Sequence, residues 1–370
     1  MGIIFSSQKD ARQQQTTNEN TCALLKSRLT TGVEAQRQLI LASDRGDLAL
    51  VRDLVGQGVD PNAQIPGYVV GETPLMAAAE EGREDVTQFL LSLPATNLEA
   101  RGEGGWTALL VASSNGHLNI VKLLLDHGAD PKAVTNEGIT PLIAAATEGW
   151  EDVSQFLLGF PDINLEVRYE DGSTALLAAS INGHLNIVKL LLDRGADAEA
   201  VTNKGTTPLI AAAGEGWEDV VQFLLSLPDI NLEARSRGGW TAMVHAAVNG
   251  HRNLVRLLLD HGAEPAVLVN SGRTVLDLVA GDVIECGSRG YWEERDNTME
   301  VLRYLVLEVG LPVTDEVRRA VAGDAEARAI CEQGRAEVRS LKKLARRAVW
   351  GLPREAREEL PVTVQEFVNY

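Results

Sequence analysis

A repeated sequence signature constrains this 370-residue chain more than any other feature. A threonine followed by any residue and then Leu or Met recurs seven times at steps of 33 or 34 residues, at Thr73, Thr107, Thr140, Thr174, Thr207, Thr241 and Thr274. Two kinds of repeat alternate, so the full period is 67 residues. Repetition at this spacing indicates small supersecondary units that stack on one another, without the need for one large core.

Each repeat predicts two short helices joined by a tight turn. The threonine hydroxyl can accept a backbone N–H at the start of the first helix, and in alternate repeats Pro occupies the first helical position. Val121, Leu124 and Leu125 recur at helical spacing and predict the buried stripe of a second helix. Gly116 falls in the turn between the helices, and Gly128 falls where the second helix should end in the left-handed conformation.

The segments 115–130 and 138–153 resemble the ankyrin-repeat consensus, through Asn-Gly-His-Leu-Asn-Ile-Val-Lys-Leu-Leu-Leu-Asp-His-Gly-Ala-Asp and Gly-Ile-Thr-Pro-Leu. The resemblance implies an all-α fold, an ankyrin-repeat solenoid of about eight repeats over residues 36–310. A degenerate first repeat covers 38–60, and an eighth begins at Thr274 with an insertion of 14 residues. We expect this insertion to form a loop over Asp282–Asp296. In this family the hairpin tips and first helices bind other proteins.

Arginine and aromatic side chains recur at the predicted hairpin tips. These residue types are enriched at the hot spots of protein interfaces. Our candidate target-binding residues are therefore Arg101, Trp106, Arg168, Tyr169, Arg235 and Trp240. A competing interpretation is that duplication copied these residues, or that the arginines pair with neighbouring acids. Both interpretations stay open.

The sequence contains no motif that predicts catalysis. It has no nucleophile elbow or phosphate loop, and its histidines form no metal-spaced cluster with cysteine. Framework turn positions of ankyrin repeats account for His117, His184 and His251. We expect Trp150 and Trp217 to shield repeat edges. The carboxylate pairs at 84–85, 151–152 and 218–219 open second helices, where the helix dipole favours them. We therefore expect a protein that is not an enzyme and has no cofactor.

Charge is unevenly distributed along the chain. Residues 311–370 contain 11 basic and 10 acidic residues, so residues 1–310 carry a net charge of −19, against −18 for the whole chain. This acidity argues against general nucleic-acid binding and favours a basic or mixed-charge protein partner. Three scattered cysteines argue against a disulfide framework, and no apolar run approaches the roughly 18 residues of a membrane-spanning helix. We expect a cytoplasmic protein.

The C-terminal sequence resembles a SOCS box, the terminal module of ankyrin repeat and SOCS box proteins. The matching stretches are Ser-Leu-Lys-Lys-Leu-Ala-Arg-Arg-Ala-Val at 340–349 and Glu-Leu-Pro-Val-Thr-Val-Gln-Glu-Phe-Val-Asn-Tyr at 359–370. The resemblance implies an Elongin C-binding set formed by Leu341, Leu344, Ala345 and Val349. It also implies a cullin-binding set formed by Leu360, Pro361 and Val362. Ala345 replaces the usual Cys of the family, and Thr363 replaces the second Pro of the cullin element.

Two other interpretations of this tail compete with the SOCS box. An amphipathic helix with Leu341 and Leu344 on one face would simply cap the last repeat. The segment Leu352-Pro-Arg-Glu355 resembles the start of an F-box, which would recruit a different ligase adaptor. The F-box is disfavoured because Pro361 would interrupt the helix that should follow.

The N-terminal sequence Met1-Gly-Ile-Ile-Phe-Ser6 fits the N-myristoylation pattern, in which Gly2 carries the acyl group. A single acyl chain gives weak, reversible membrane binding, and no polybasic segment accompanies it here. An unmodified polar tail explains the same residues equally well.

These features predict four segments: a polar, disordered tail over 1–35, ankyrin repeats over 36–310, a helical linker over 311–335 and a SOCS-box-like module over 336–370. They predict a substrate-recognition subunit of a cullin-RING E3 ubiquitin ligase. The repeats would bind a target protein, and the tail would recruit Elongin B/C and a cullin. The alternative is an ankyrin-repeat scaffold without a ligase role, associated with membranes if Gly2 is myristoylated.

Overall fold

The computed structural model describes residues 32–64, 73–289 and 292–336. The chain divides into two compact units, residues 1–197 and 198–370. Within the described residues both units consist of helix pairs, and the one β feature is an isolated bridge between Leu268 and Thr274. The all-α ankyrin-repeat fold predicted from the sequence is confirmed.

Unit 1 contains the first five helix pairs. Their bounds are α1 Gly32–Arg45, α2 Leu48–Gly56, α3 Pro74–Glu80, α4 Glu84–Leu91, α5 Ala108–Ser114, α6 Leu118–Asp126, α7 Pro141–Glu148, α8 Glu151–Leu157, α9 Ala175–Ile181 and α10 Leu185–Asp193. First helices pack on first helices in the order α1, α3, α5, α7 and α9, and the second helices form a parallel row behind them. Each repeat thereby buries the apolar face of its neighbour.

Unit 2 contains three further pairs and two later helices. Their bounds are α11 Pro208–Glu215, α12 Glu218–Leu225, α13 Ala242–Val248, α14 Arg252–Asp260, α15 Val275–Arg289, α16 Trp292–Arg303, α17 Asp315–Ala320 and α18 325–336. The row of first helices runs α11, α13 and α15, and the row of second helices runs α12, α14 and α16. The π-helical segment Tyr304–Glu308 continues α16.

The predicted capping and turn chemistry is confirmed. Every threonine of the signature accepts a hydrogen bond from the backbone N–H three residues later, at 3.1 Å in the Thr73 repeat and 3.4 Å in the Thr107 repeat. The turn glycine Gly116 has φ +75°, and the helix-closing Gly128 has φ +94°. Both lie in the left-handed region that glycine enters without steric cost.

The core of each repeat is built from small and aliphatic side chains. In α3 the residues from Leu75 to Ala79 are all buried, and in α6 Ile120, Val121 and Leu124 have no exposed surface. Alanines in the first helices let neighbouring repeats approach closely, while Val and Leu in the second helices fill the space between the rows.

The eighth repeat corrects one sequence prediction. The inserted residues Asp282–Asp296 were expected to form a loop, but α15 continues to Arg289 and α16 begins at Trp292. The reason is that Val279, Ala280 and Val283 continue the buried stripe of the first helix at helical spacing. Thr298 and Met299 are buried in the second helix in the same way, so the insertion lengthens both helices.

The segment after the repeats is anchored to the eighth repeat. Thr314 caps α17 by accepting from the Val317 N–H, as the sequence predicts, and its hydroxyl also donates to Asp277 at 3.1 Å. Arg295 of α16 forms an ion pair with Asp324 at 2.7 Å, and both side chains are less than one-fifth exposed. These contacts fix where α17 and α18 leave the last repeat. No helix in the described ranges has the length and apolar character to cross a bilayer.

Candidate protein-binding surface

The three recurrent arginines lie in exposed loops and bond to backbone. Nη1 of Arg101 donates to the carbonyl of Val134 in the next repeat at 3.0 Å. Nη1 of Arg235 makes the same contact with Leu268 at 2.9 Å. Nη1 of Arg168 reaches the Gly172 carbonyl of its own loop at 3.3 Å. These bonds give the 67-residue recurrence a role in holding loops together, and target contact by the arginines stays a prediction.

The aromatic candidates Trp106, Tyr169 and Trp240 are all half-buried in the described loops. Burial, which outweighs a hydrogen bond with Ser173, raises the pKa of the Tyr169 phenol. Each ring therefore presents only part of its surface to a partner. Their role in target binding also stays a prediction.

Trp240, His245 and Ser236 form a small cluster in the seventh repeat. The indole ring lies 5.1 Å, between centroids, from the imidazole of His245, and Ser236 Oγ lies 3.3 Å from His245 Nε2. Burial lowers the pKa of His245, because it disfavours the charged imidazolium form. Sequence analysis identified Trp240 but missed the other two residues. The sequence did contain one indication: His245 occupies a position that is apolar in equivalent repeats, where Val111 and Ala178 stand.

Acidic side chains tie successive loops together in a pattern that sequence analysis also missed. Each accepts a hydrogen bond from a backbone N–H of the following repeat. The pairs are Glu99 with Asp130 at 2.8 Å, Glu166 with Asp197 at 2.9 Å and Glu233 with Glu264 at 2.8 Å. Their 67-residue spacing was visible in the sequence, but the acceptor role depends on loop geometry. These ties hold the loops that carry the candidate residues.

The framework assignment of three histidines is confirmed. The Nε2 atoms of His117, His184 and His251 lie 2.8, 3.0 and 3.1 Å from carbonyl oxygens of the preceding repeat, in Glu80, Thr147 and Gly214. His127 and His261 contact carbonyls at the ends of their own helices. These five rings therefore serve the fold.

The turns between the two helices of each repeat form an acidic edge, separate from the loops that carry the candidate residues. Trp150 donates from Nε1 to the Ser114 carbonyl at 2.7 Å, and its ring covers Gly116 so closely that a Cβ there would lie 2.4 Å from an indole carbon. This confirms that Trp150 shields a repeat edge. Beside it, Glu151 opens α8 and accepts from the Asn186 amide at 2.7 Å.

The described residues show no arrangement for a metal: no group of three or more His, Cys, Asp or Glu side chains is placed to hold one. They do contain an open apolar cleft of about 220 Å³ between the loops of the third and fourth repeats. Several candidates fall outside the described ranges. They are the Elongin C set Leu341, Leu344, Ala345 and Val349, the cullin set Leu360, Pro361 and Val362, and Gly2.

The repeat region matches the family model described as ankyrin repeats in three copies, over residues 39–135, 128–202 and 194–269. An ankyrin repeat and KH domain-containing protein of Caenorhabditis briggsae is 35% identical over 155 residues, which are 41% of this chain and 6% of that protein. The chain thus aligns with only a small part of that much longer relative.

Two further relatives carry names connected with SOCS boxes or ubiquitin. Ankyrin repeat and SOCS box protein 16 of Mus musculus is 32% identical over 258 residues, 67% of this chain and 54% of that protein. A probable E3 ubiquitin-protein ligase of Oryza sativa subsp. japonica is 32% identical over 220 residues, 55% of this chain and 41% of that protein.

Proposed function

Because this chain belongs to the ankyrin-repeat family, we propose that it is a substrate-recognition subunit of an Elongin B/C-containing cullin-RING E3 ubiquitin ligase. The repeats bind the target protein, and the C-terminal tail binds the ligase. Such a subunit performs no chemistry itself. It raises the effective concentration of target lysines near the transferring enzyme by holding two partners on one chain.

The observation that carries this proposal is the order of two sequence elements along one chain. A stack of ankyrin repeats is followed, after the segment 311–335, by the SOCS-box-like residues of 340–349 and 359–370. The mouse relative whose name contains both elements supports the same combination. The contacts of Thr314 with Asp277 and of Arg295 with Asp324 are also consistent with it, because a receptor must hold its tail in a defined place.

The physical mechanism at the tail is the insertion of an amphipathic helix into an apolar groove. In a helix over this segment, Leu341, Leu344, Ala345 and Val349 would share one face. Ala345 keeps this face small and apolar but lacks the sulfur of the family's usual Cys. We therefore expect Ala345→Cys to increase affinity for Elongin C.

A pull-down with the full chain tests the proposal. The intact protein should capture Elongin C, and the double variant Leu341→Asp, Leu344→Asp should lose it, because two charges would enter the apolar groove. The double variant Lys342→Ala, Lys343→Ala is the control, since it changes the net charge by the same amount and spares the apolar face.

Two results would contradict the assignment to an Elongin B/C-containing ligase. Failure of the intact chain to capture Elongin C would leave only the coarser function of an ankyrin-repeat protein that binds other proteins. Capture of an Skp-type adaptor would favour the F-box interpretation of Leu352-Pro-Arg-Glu355.

A further inference from the structure

The cleft between the third and fourth repeats has apolar walls. Val134 lies on the loop before α7, Leu142 lies in α7, and Ile163 and Val167 lie on the loop after α8. Leu142 is buried and the other three are half-buried, so apolar surface faces the opening. The volume of about 220 Å³ is below the roughly 300–1,000 Å³ of clefts that hold whole small-molecule ligands. It suits one inserted side chain.

The lining also contains Pro131, the capping residue Thr140 and two further polar residues, Lys132 and Asn164. Lys132 is exposed, and its ammonium group has no ion-pair partner within the described part of the chain. Asn164 begins the turn on the opposite side, where its Oδ1 accepts from the Glu166 N–H at 3.0 Å. The apolar walls are thus accompanied by an unpaired cation.

The loops that join other pairs of neighbouring repeats carry a hydrogen bond that this cleft lacks. In the first repeat Asn62 Oδ1 accepts from the Asn97 N–H at 2.7 Å, which joins the two loops. In the fifth repeat Glu199 Oε1 accepts from the Asn231 N–H at 2.8 Å in the same way. Lys132 occupies this position in the third repeat, after the shared Gly-x-Asp sequence. Lysine is a donor only, so it cannot bind the Asn164 N–H.

The missing tie leaves the backbone N–H of Asn164 without the acceptor that the N–H groups of Asn97 and Asn231 have, and Lys132 lines the same cleft. An acceptor supplied from outside would satisfy both, and a carboxylate accepts strong charge-assisted hydrogen bonds from an ammonium and from an amide N–H. The arrangement copies the Glu199 contact, with the carboxylate coming from a partner.

We propose that this cleft binds a short segment of the target protein in which an aliphatic or aromatic side chain lies next to an Asp or Glu. The apolar side chain enters between Val134 and Val167, and the carboxylate binds Lys132 and the Asn164 N–H. Residues 1–310 carry a net charge of −19 and would repel a strongly acidic peptide. The bound segment therefore contains this one carboxylate and no excess of other acidic residues. The proposal rests on the proposed function only in that the occupant belongs to a protein.

Selection of displayed peptides on the full chain tests this assignment. A library of random internal peptides, each followed by an invariant C-terminal linker, should yield sequences with an apolar residue beside Asp or Glu. Their affinity should fall at least tenfold for Lys132→Glu. The new carboxylate would repel the carboxylate of the peptide, and it would itself accept the hydrogen bond from the Asn164 N–H. The variant should fold at least as well as the natural chain, since Glu199 already makes this contact in the fifth repeat.

Two further variants keep the test decisive. Lys204→Glu makes the same change of charge at an exposed loop lysine outside the cleft, and it should leave peptide affinity unchanged. Val134→Thr changes the wall with little change of shape, and it should weaken the same peptides roughly threefold to tenfold, in line with about 1 kcal/mol for a polar group in an apolar contact. If Lys132→Glu fails to fold, Val134→Thr decides the result alone.

Other results would overturn the proposal. Selection of Lys- or Arg-rich peptides that bind Lys132→Glu equally well would assign recognition to the acidic turn edge beside Trp150. If this library yielded no binders while a second library with free, randomised C-termini did, the donors would be assigned to a terminal carboxylate. A selection with no peptide lost on Lys132→Glu or Val134→Thr would exclude the cleft as a binding site. Each variant should still capture Elongin C, so failure here is separate from failure of the ligase role.

Discussion

Different kinds of contact hold together the second to seventh repeats on one hand and the eighth repeat with the described segment after it on the other. In those repeats helices of seven to nine residues pack through small apolar side chains, with rings laid over turn glycines and single hydrogen bonds between loops. The eighth repeat has helices of 15 and 12 residues and anchors the following segment through the buried carboxylate of Asp277 and the Arg295–Asp324 pair. Repeated contacts depend on shape, whereas the terminal anchor depends on charge and occurs once.

The shape-dependent contacts should fail most strongly at the turn glycines. Gly149 has φ +86°, and a Cβ there would lie 2.5 Å from the His184 ring. Gly149→Ala combines backbone strain with this overlap, so we expect it to lower the free energy of unfolding by about 2–5 kcal/mol. Urea denaturation followed by circular dichroism measures the loss.

Gly128→Ala is the matched control for this prediction. Gly128 has a similar φ of +94°, but no atom lies within 4 Å of a Cβ built there. It should therefore cost only the backbone strain, about 1–2 kcal/mol. Equal losses for the two variants would show that the ring above Gly149 contributes nothing.

The charged anchor should respond to Asp277→Asn with a smaller loss. Asp277 is 4% exposed and accepts from the Thr274 N–H at 2.8 Å, from the Thr274 hydroxyl at 2.7 Å and from the Thr314 hydroxyl at 3.1 Å. An amide presents N–H groups to some of these donors. We expect a loss of about 1.5–3 kcal/mol, seen as faster amide exchange in 314–320. Asp260→Asn, at an exposed site, should lose less than about 0.5 kcal/mol.

Acid should act on the same anchor. Burial alone would raise the pKa of Asp277, but the hydrogen bonds from Thr274 and Thr314 and the nearby Arg273 together lower it. A carboxyl with a lowered folded-state pKa stabilises the fold above the unfolded value of about 3.9, and this stabilisation is lost as the pH falls through the folded value. Protection of 314–320 should thus fall below about pH 4. An identical pH profile in Asp277→Asn would contradict this cause.

The smallest expected effect is a gain of stability inside the regular repeats. Among the described residues, the hydroxyls of Thr87 and Ser154 are buried without a hydrogen-bond partner. Val221 occupies the equivalent position in the sixth repeat and is fully buried, so the site accepts a valine side chain. Ser154→Val removes an unsatisfied hydroxyl and should raise the urea midpoint by an amount equivalent to about 1 kcal/mol. A lowered midpoint would show that the Ser154 site is too small for the added methyl groups.

The contrast also explains which features the sequence could predict. Threonine caps, turn glycines and the buried stripes follow local rules that repeat every 67 residues, so the predictions for Thr140, Gly116 and Val121 are confirmed. The loop expected at Asp282–Asp296 was wrong because extra length in a repeat does not by itself imply irregular structure. The apolar spacing of Val279 and Val283 already favoured helix.

Contacts between repeats could not be predicted from local sequence rules. The ties from Glu99 to Asp130 and from Arg101 to Val134 join residues 31 and 33 positions apart through loop geometry. The sequence alone does not distinguish Lys132 from other exposed lysines. Its position matters because Asn62 and Glu199, at the equivalent positions, each bridge two loops. The tail residues were assigned from family resemblance alone, and they stay predictions.

Calorimetric titration of purified Elongin B/C into the full chain tests the two-partner function most directly. We predict saturable binding with one Elongin B/C complex per chain, lost in Leu341→Asp, Leu344→Asp and kept in Lys342→Ala, Lys343→Ala. Absence of binding to the natural chain, or equal binding to the Leu341→Asp, Leu344→Asp variant, would contradict the assignment of this tail to a ubiquitin ligase.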